Sequence, residues 1–414
     1  MLLRARIVLP VSQPPIVDGA VRVERDCVAE VGKWSDLCGE AEDLGDVILM
    51  PGLVNAHCHL DYTSLAGRIP APDTFNEWIS GIMRHKEEMG DGAWRESWLK
   101  GAKQCVQRGT TTVGNIETRP DLLAALWLET PLRLLSFLEF IVVRPESDSL
   151  SVVREIVNWL QSNESPRGAV GLSPHAPYTV KSDALLQCAE ASKEHGWRMS
   201  MHLAESADES AMFLDGGGPL YMRLANVGRD MSDCGDHSSV ERASHHGLLN
   251  EKLLAVHGNY LDDNDIGLLA ESGSSVAHCP RSHDYFGHVP FRFEELRTAG
   301  VNVCLGTDSL ATVEEADAKL DMFEEMRMFR GKYPDVSPEV ITSMATVNGA
   351  KALGWSGEVG EISTGACADL LAFQYLGPAD GVYNGVIEHR GPVAVMVDGQ
   401  WEIHPTSSAD HYGA

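Results

Sequence analysis

Short apolar runs alternate with longer amphipathic segments through the middle of this 414-residue chain. Such alternation is typical of repeated strand–helix units that build a parallel sheet. The pattern predicts eight barrel strands, at residues 53–56, 111–115, 133–137, 169–172, 198–202, 253–257, 275–278 and 302–306. Eight parallel strands with intervening helices indicate an α/β fold, a (β/α)8 TIM-type barrel, whose reactive groups lie at the C-terminal ends of the strands.

Both ends of the chain have a different pattern, in which short strand-like runs are separated by Pro, Gly and Asp. Strands are predicted over residues 5–9, 19–23, 27–31 and 46–50, and again over residues 369–373, 386–389, 392–397 and 401–404. A chain of 414 residues exceeds the size at which one core usually stops growing. We therefore expect a small β-domain from residues 1–50 plus 360–414, beside a catalytic barrel of residues 51–359.

Two helices can be read from their spacing. Residues 182–195 place Ala184, Leu185 and Cys188 on one face and stop before Gly196, a residue suited to a helix C-terminus. Residues 314–330 carry methionine and phenylalanine at helical spacing, which favours core packing over a cofactor-binding role.

The candidate chemistry lies where the predicted barrel strands end. His57 and His59 close the first run, and side chains two residues apart in a strand point to the same side, so both can reach one cation. Taken alone, a His-x-His pair is weak evidence in a chain with 16 histidines. Further polar residues follow later strands in the series His175, His202, Glu205, His257 and Asp308.

Spaced segments in this order resemble the amidohydrolase superfamily, in its branch of metal-dependent deaminases and chlorohydrolases that act on amino-heterocycles. They are PGLVNAHCH at 51–59, SPH at 173–175, HLAES at 202–206, VHG at 256–258 and GTD at 306–308, followed by NGAKALG at 348–354 and GACADL at 365–370. The resemblance spans nearly the whole chain. It implies a catalytic barrel with a small β-sandwich built from both termini.

The resemblance also implies one divalent metal ion, held by His57, His59, His202 and Asp308. Zinc is the first candidate because imidazole suits it, and Fe²⁺ or Mn²⁺ would accept the same ligands. Two-metal relatives carry a carboxylated lysine at the end of the fourth strand, where this chain has His175.

The implied reaction is hydrolytic deamination of an amino-substituted N-heterocycle, in which metal-bound hydroxide attacks and ammonia leaves. In relatives, the residue at Glu205 protonates a ring nitrogen, that at Asp308 relays the proton of the attacking water, and that at His257 stabilises the attacking oxygen. The implied substrates are 6-aminopurine nucleoside derivatives such as S-adenosylhomocysteine, methylthioadenosine or aminodeoxyfutalosine. Glu209 is better interpreted as a solvated glutamate in the first turn of a helix.

Five residues are candidates for substrate contacts. His175 resembles a histidine near the ribose, and Glu77 with Trp78 resembles a capping helix, although Trp78 could equally anchor that helix. Arg144 could pair with a carboxylate or be surface charge. His283 stands where relatives more often have Asn.

The amino-acid composition limits the classes of molecule that this chain is expected to bind. Sixty acidic and 33 basic residues give a net charge of −27, which disfavours nucleic acid or an anionic membrane surface as a partner. The resemblance implies a small-molecule substrate. The nine scattered cysteines contain no Cys-x-x-Cys, which is typical of a reduced, cytoplasmic chain. No apolar run long enough to span a membrane occurs. A homodimer is left open.

Two other functions remain as alternatives at this point. The same metal chemistry could release chloride or hydrolyse a different heterocycle. The barrel could also be a non-catalytic binding protein, but the intact set of His57, His59, His202, Glu205, His257 and Asp308 disfavours that alternative.

Overall fold

The structure is a computed structural model that describes residues 1–37 and 39–405. Its strands, in chain order, are β1 (Leu2–Val8), β2 (Ile16–Glu24), β3 (Cys27–Lys33), β4 (Glu42–Asp43), β5 (Val47–Pro51), β6 (Leu53–Cys58), β7 (Thr110–Glu117), β8 (Arg133–Phe140), β9 (Ala169–Pro174), β10 (Met199–Leu203), β11 (Leu253–His257), β12 (Ser275–His278), β13 (Asn302–Leu305), β14 (Leu370–Gln374), β15 (Ala394–Val397) and β16 (Gln400–Ile403).

The helices of the described chain are α1 (Trp34–Leu37), α2 (Phe75–Glu88), α3 (Asp91–Gln107), α4 (Pro120–Leu126), α5 (Ser149–Ser162), α6 (Ser182–His195), α7 (Ala207–Asp215), α8 (Gly218–Asn226), α9 (Ser239–His245), α10 (Asp263–Ser272), α11 (Pro280–Tyr285), α12 (Phe293–Thr298), α13 (Met322–Lys332), α14 (Pro338–Met344), α15 (Val347–Leu353) and α16 (Val382–Ile387). Short 3₁₀ helices cover Leu60–Leu65, Leu310–Thr312 and Ala379–Gly381.

Strands β6 to β13 form a parallel barrel in sequential order. The last strand meets the first through a backbone bridge between Cys58 and Asp308, which closes the circle. Apolar side chains from several strands, including Val54, Phe137 and Val256, pack together in the interior. Because both faces of each strand are covered, the barrel strands read as nearly continuous apolar runs, which is why the sequence predicts all eight.

The strands near the two termini form a separate mixed sheet, in the order β16-β15-β14-β5-β1-β2-β3, with β4 beside β1. β14 pairs antiparallel with β5, so the end of the chain is joined to its beginning. The predicted fold class is thereby confirmed. We propose the divisions at residues 50 and 360 as the domain boundaries; residues 406–414 lie outside the described chain.

Two local predictions were wrong. Residues 386–389 were expected to be a strand, but Val386 lies in helix α16, where Val382, Val386 and Ile387 are buried at helical spacing. The helix expected from residue 314 begins only at Met322, because the Asp321 side chain accepts hydrogen bonds from the first backbone N–H groups and so fixes the start. The helix α6 has the predicted limits.

No helix of the described residues is long and apolar enough to cross a membrane. The eight cysteines in the described part of the chain are free thiols.

The closing seam of the barrel depends on Gly306. A Cβ atom at this position would lie 2.8 Å from the carbonyl oxygen of His57, closer than such atoms can pack. We expect Gly306→Ala to destabilise the protein by about 1–3 kcal/mol, as overpacking does, and to lower the midpoint of thermal unfolding.

Gly267→Ala is the matched control. Nothing lies within 4 Å of a Cβ at Gly267, which is inside helix α10. Alanine there should leave stability unchanged or raise it by about 0.5–1 kcal/mol. Equal stability of Gly306→Ala and the wild-type protein would contradict the tight seam.

Candidate active site

Strand β6 delivers two histidines to the mouth of the barrel. Between Asn55 and Cys58 its register against β7 shifts, so that three steps along β6 match two along the partner strand. A bulge of this kind re-aims the side chains that follow it. The rings of His57 and His59 lie 4.9 Å apart, and both side chains are buried.

Left-handed backbone marks the ends of three other strands. Ala204, His257 and Asp308 have φ angles of 51°, 77° and 54°. For residues other than glycine this conformation costs about 1–3 kcal/mol each and is common at active sites. At His257 and Asp308 the strained residue itself carries the reactive side chain.

The imidazoles and Asp308 converge on one point. Oδ1 of Asp308 lies 3.6 Å from Nε2 of His57 and 3.6 Å from Nε2 of His59. The ring of His202 lies 5.1 Å from that of His57. Ligand atoms of His57, His59 and His202 are all within 4.8 Å of one another, and so are those of His57, His257 and Asp308.

The residues present fit a divalent cation. Both ring nitrogens of His57, Nδ1 of His59 and Nε2 of His202 are buried and have no hydrogen-bond partner among the described residues. Burying an imidazole nitrogen without a partner is costly. Neutral imidazoles and a carboxylate are the ligand set that zinc and similar ions take.

Glu205 and His257 lie beside this cluster. Nε2 of His257 is 3.1 Å from Nδ1 of His202 and 3.5 Å from Oε1 of Glu205. Burial, together with the carboxylate of Asp308, raises the pKa of Glu205 well above its usual value. Burial also lowers the pKa of His257, which favours its neutral form.

The surroundings of Asp308 lower the pKa of its carboxyl group, in contrast to those of Glu205. Burial by itself raises its pKa, but the neighbouring imidazoles of His57, His257 and His59 outweigh that effect and lower the pKa overall. Its second oxygen, Oδ2, accepts a hydrogen bond of 2.7 Å from Oγ of Ser282. The carboxylate is therefore held from both sides.

Sequence reasoning missed the role of two residues that support this cluster. Ser282 was visible only as a neighbour of His283, and nothing in its spacing marks it as a partner of Asp308. Glu209 is in the first turn of α7 as predicted, but it is fully buried, not solvated. Its carboxylate accepts the backbone N–H groups of Ala204 and Glu205 at 3.0 and 2.8 Å, which holds the strained strand end in place.

His175 joins the cluster from the end of β9. Its ring stacks against that of His202 with centroids 4.9 Å apart, and its Nδ1 lies 2.8 Å from Oγ1 of Thr179. Burial, with a smaller contribution from Lys86, lowers the pKa of His175 to about 3. It is therefore a neutral imidazole at the edge of the site.

The other substrate-contact candidates lie farther from the cluster. Glu77 is exposed, and its Oε2 accepts the backbone N–H of Asp73 at the start of α2. Trp78 packs against Phe286 and donates its Nε1–H to the carbonyl oxygen of Ala311.

The contacts of Arg144 and His283 are made with residues other than the cluster of His57, His59 and His202. The Arg144 side chain is 68% exposed and lies 4.0 Å from Glu146. Nε2 of His283 lies 2.9 Å from the carbonyl oxygen of Val289, so its neighbour Ser282 is the residue that reaches Asp308.

Solved structures with this fold include several metal enzymes. An adenosine deaminase from Xanthomonas campestris with bound zinc aligns with a TM-score of 0.81 at 25% identity, covering 99% of this chain and 95% of that one. The aminofutalosine deaminase of Helicobacter pylori in complex with methylthio-coformycin gives 0.85 at 21%, covering 97% and 100%. A zinc complex of atrazine chlorohydrolase from Arthrobacter aurescens TC1 gives 0.82 at 18%, covering 98% and 95%.

Curated relatives match over most of their length. The 5-methylthioadenosine/S-adenosylhomocysteine deaminase of Pyrococcus abyssi (strain GE5 / Orsay) is 29% identical over 388 residues, which cover 89% of this chain and 84% of the relative. The aminodeoxyfutalosine deaminase of Deinococcus radiodurans is 30% identical over 355 residues, which cover 81% of each. Residues 48–401 match the amidohydrolase family. The chain therefore belongs to the amidohydrolase family and is a hydrolase that acts on carbon–nitrogen bonds.

Proposed function

We propose that this protein is a metal-dependent hydrolytic deaminase of a 6-aminopurine nucleoside derivative. The observation that carries the proposal is the position of Glu205 within 4 Å of both His202 and His257, beside the imidazole and carboxylate cluster. A deaminase needs a proton carrier next to its water-activating site. The deaminase names of the curated relatives, each about 30% identical, support the same chemistry.

His57, His59, His202 and Asp308 would hold one divalent cation, with zinc as our first choice. When bound there, such an ion lowers the pKa of a water molecule and polarises it for attack. Zinc in the related adenosine deaminase structure supports that choice. The unpartnered nitrogens of His57 and His202 support the ligand assignment.

Asp308 is the proposed acceptor of the proton from the attacking water. Its Oδ1 faces the other proposed ligands His57 and His59, and its Oδ2 accepts a hydrogen bond from Ser282, so the carboxylate is fixed within the cluster. Glu205 is the proposed donor to a ring nitrogen, since protonation makes the adjacent ring carbon electrophilic. Ammonia then leaves after receiving a proton from these carboxyl groups.

His257 is proposed to hydrogen-bond the attacking oxygen. Its ring is buried and its Nε2 lies 3.1 Å from Nδ1 of His202, so the ring is positioned before the reaction begins. A donor held in this way lowers the barrier because little reorganisation is needed when charge develops.

We propose His175 and Trp78 as the main substrate contacts. We propose that Glu77, Arg144 and His283 make weaker substrate contacts at the rim of the site.

Ammonia release from a panel of substrates tests the function directly. With about one metal ion per chain, as a mononuclear site requires, we expect release from 5′-methylthioadenosine, S-adenosylhomocysteine or a related 6-aminopurine nucleoside. The assay pairs ammonia detection with elemental analysis of the same sample. No release from any amine, combined with chloride release from a chloro-heterocycle, would replace the deaminase proposal with a chlorohydrolase.

Asp308→Asn should reduce kcat by about 10²–10⁴-fold, the range that general acid–base groups contribute. The amide keeps the shape of the side chain but cannot take up the proton. Circular dichroism should show an unchanged fold. Asp317→Asn, an exposed change in the following segment, is the control and should retain full activity. Substantial turnover by Asp308→Asn would remove this residue from the proton path.

Glu205→Gln should lower kcat by about 10²-fold or more while the metal content stays near the wild-type value. The reason is that Glu205 contacts the histidines without belonging to the proposed ligand set. His202→Ala is the comparison and should lose both metal and activity. Parallel loss of metal and activity in Glu205→Gln would mean that Glu205 is a ligand.

A further inference from the structure

Two cysteines lie directly opposite each other where the two ends of the chain meet. Cys27 is the first residue of β3, and Cys367 lies in the segment that leads into β14. The two residues are partners in an isolated antiparallel bridge. Because the side chains of directly opposed residues point to the same face of a sheet, both thiols lie on one side of this contact.

The backbone hydrogen bonds around the two cysteines define the geometry of the pair. The N–H of Ala368 donates to the carbonyl oxygen of Asp26 at 2.7 Å. The N–H of Val28 donates to the carbonyl oxygen of Ala366 at 2.8 Å. These bonds flank the cysteines without joining them, and in such a pair the Cα atoms are about 4.5 Å apart. Disulfides have Cα atoms about 4.4–6.8 Å apart, so the bond can close with little backbone movement.

The two thiols are also neighbours that an oxidant can reach. Both residues are half-buried, whereas most of the other described cysteines are fully buried. The thiol of Cys27 is within electrostatic range of the thiol of Cys367. Sγ of Cys27 donates a hydrogen bond of 3.5 Å to Oδ1 of Asp26, next to it in the chain. A small oxidant from solvent therefore meets two sulfur atoms at one place.

The protonation of the thiols determines how fast they react. Burial raises the pKa of both, that of Cys367 to about 11, and at Cys27 the hydrogen bond to Asp26 adds to the effect. Nearby charges are the carboxylates of Asp26, Asp369 and Asp398, which raise the pKa, and the guanidinium of Arg133, which lowers it. Since the thiolate is the nucleophile, reaction is slow at neutral pH and becomes about tenfold faster with each pH unit below the pKa.

The pair lies near the N-terminal ends of the barrel strands. Arg133 begins β8, and its guanidinium donates to Asp369, two residues after Cys367. The reactive groups of a barrel lie at the opposite ends of the strands. The chain between Cys27 and Cys367 contains the whole barrel. A bond between them would restrict the unfolded chain and stabilise the fold without contacting the proposed active site.

We propose that Cys27 and Cys367 are a site of reversible oxidation by peroxide, at which the two thiols form a stabilising intramolecular disulfide. One thiolate attacks an oxygen of hydrogen peroxide, which gives a sulfenic acid and hydroxide. The second thiolate attacks the sulfenic sulfur, so that the S–S bond forms and a second hydroxide leaves. The two hydroxides take up the two thiol protons, each sulfur loses one electron, and peroxide becomes two water molecules. A dithiol reverses the step by exchange.

Peptide mapping of the full-length protein tests the proposal and needs no substrate. The protein is treated with a small excess of hydrogen peroxide at mildly alkaline pH, its remaining thiols are alkylated, and it is digested with trypsin. Cleavage after Arg and Lys places Cys27 in residues 26–33 and Cys367 in residues 352–390, each as the only cysteine of its peptide. We expect these peptides to be joined, and to separate after dithiothreitol.

Thermal unfolding of the same samples tests the stabilisation. Oxidation should raise the midpoint of unfolding by about 2–5 °C, and dithiothreitol should remove the increase. Cys27→Ser and Cys367→Ser should each abolish both the joined peptides and the increase. Cys234→Ser is the matched control and should behave as wild type. Cys234 is likewise half-buried, its Sγ donates to Asp233, and burial raises its pKa to about 11.

Three results would overturn the inference. Sulfinic or sulfonic acid at Cys27 or Cys367 without joined peptides would show that the two sulfurs do not meet. A bridge between the buried neighbours Cys58 and Cys105, or one to Cys38, which lies outside the described residues, in place of the expected one would assign the oxidation to another site. An unchanged or lower unfolding midpoint of the joined protein would show that the native pair does not accommodate the bond.

Discussion

The burial of many polar nitrogens and oxygens in one small volume is the constraint on which the rest of the structure depends. The Nε2 atoms of His57 and His59 lie 3.6 Å from Oδ1 of Asp308, the ring of His202 lies 5.1 Å from that of His57, and none of the four residues is more than 6% exposed. Several of their nitrogens have no partner among the described residues. In a protein interior that arrangement is unfavourable on its own, and the proposed shared cation would resolve it by replacing the missing hydrogen bonds.

The barrel holds these groups together against that cost. Its seam brings Asp308 against the end of β6, where the backbone N–H of Asp308 donates to the carbonyl oxygen of His57. Left-handed backbone turns the chain at the strand ends, at Ala204, His257 and Asp308. At the first of these turns the Glu209 carboxylate accepts a hydrogen bond from the backbone N–H of Ala204. The large apolar core supplies the stability that such local strain consumes.

Two acidic residues of the site, Asp308 and Glu205, have pKa values shifted in opposite directions. Burial raises the pKa of both carboxyl groups; at Asp308 the neighbouring imidazoles reverse that effect, whereas at Glu205 other carboxylates add to it. Environments that shift the pKa values of two carboxyl groups in opposite directions are typical of acid–base pairs.

The sequence by itself determined the barrel, because fully covered parallel strands leave continuous apolar runs that end in polar residues such as His57, His202 and Asp308. It also placed the strands of both termini, apart from residues 386–389, where valine and isoleucine suit a helix face as well as a strand. What only the tertiary structure decided are the contacts between distant segments. Ser282 reaches Asp308 across 26 positions of sequence, and Glu139 meets His175 and His202 at the barrel mouth. The reason is physical: local patterns record which face of an element is buried, whereas a hydrogen bond or an unpaired oxygen depends on which elements pack side by side.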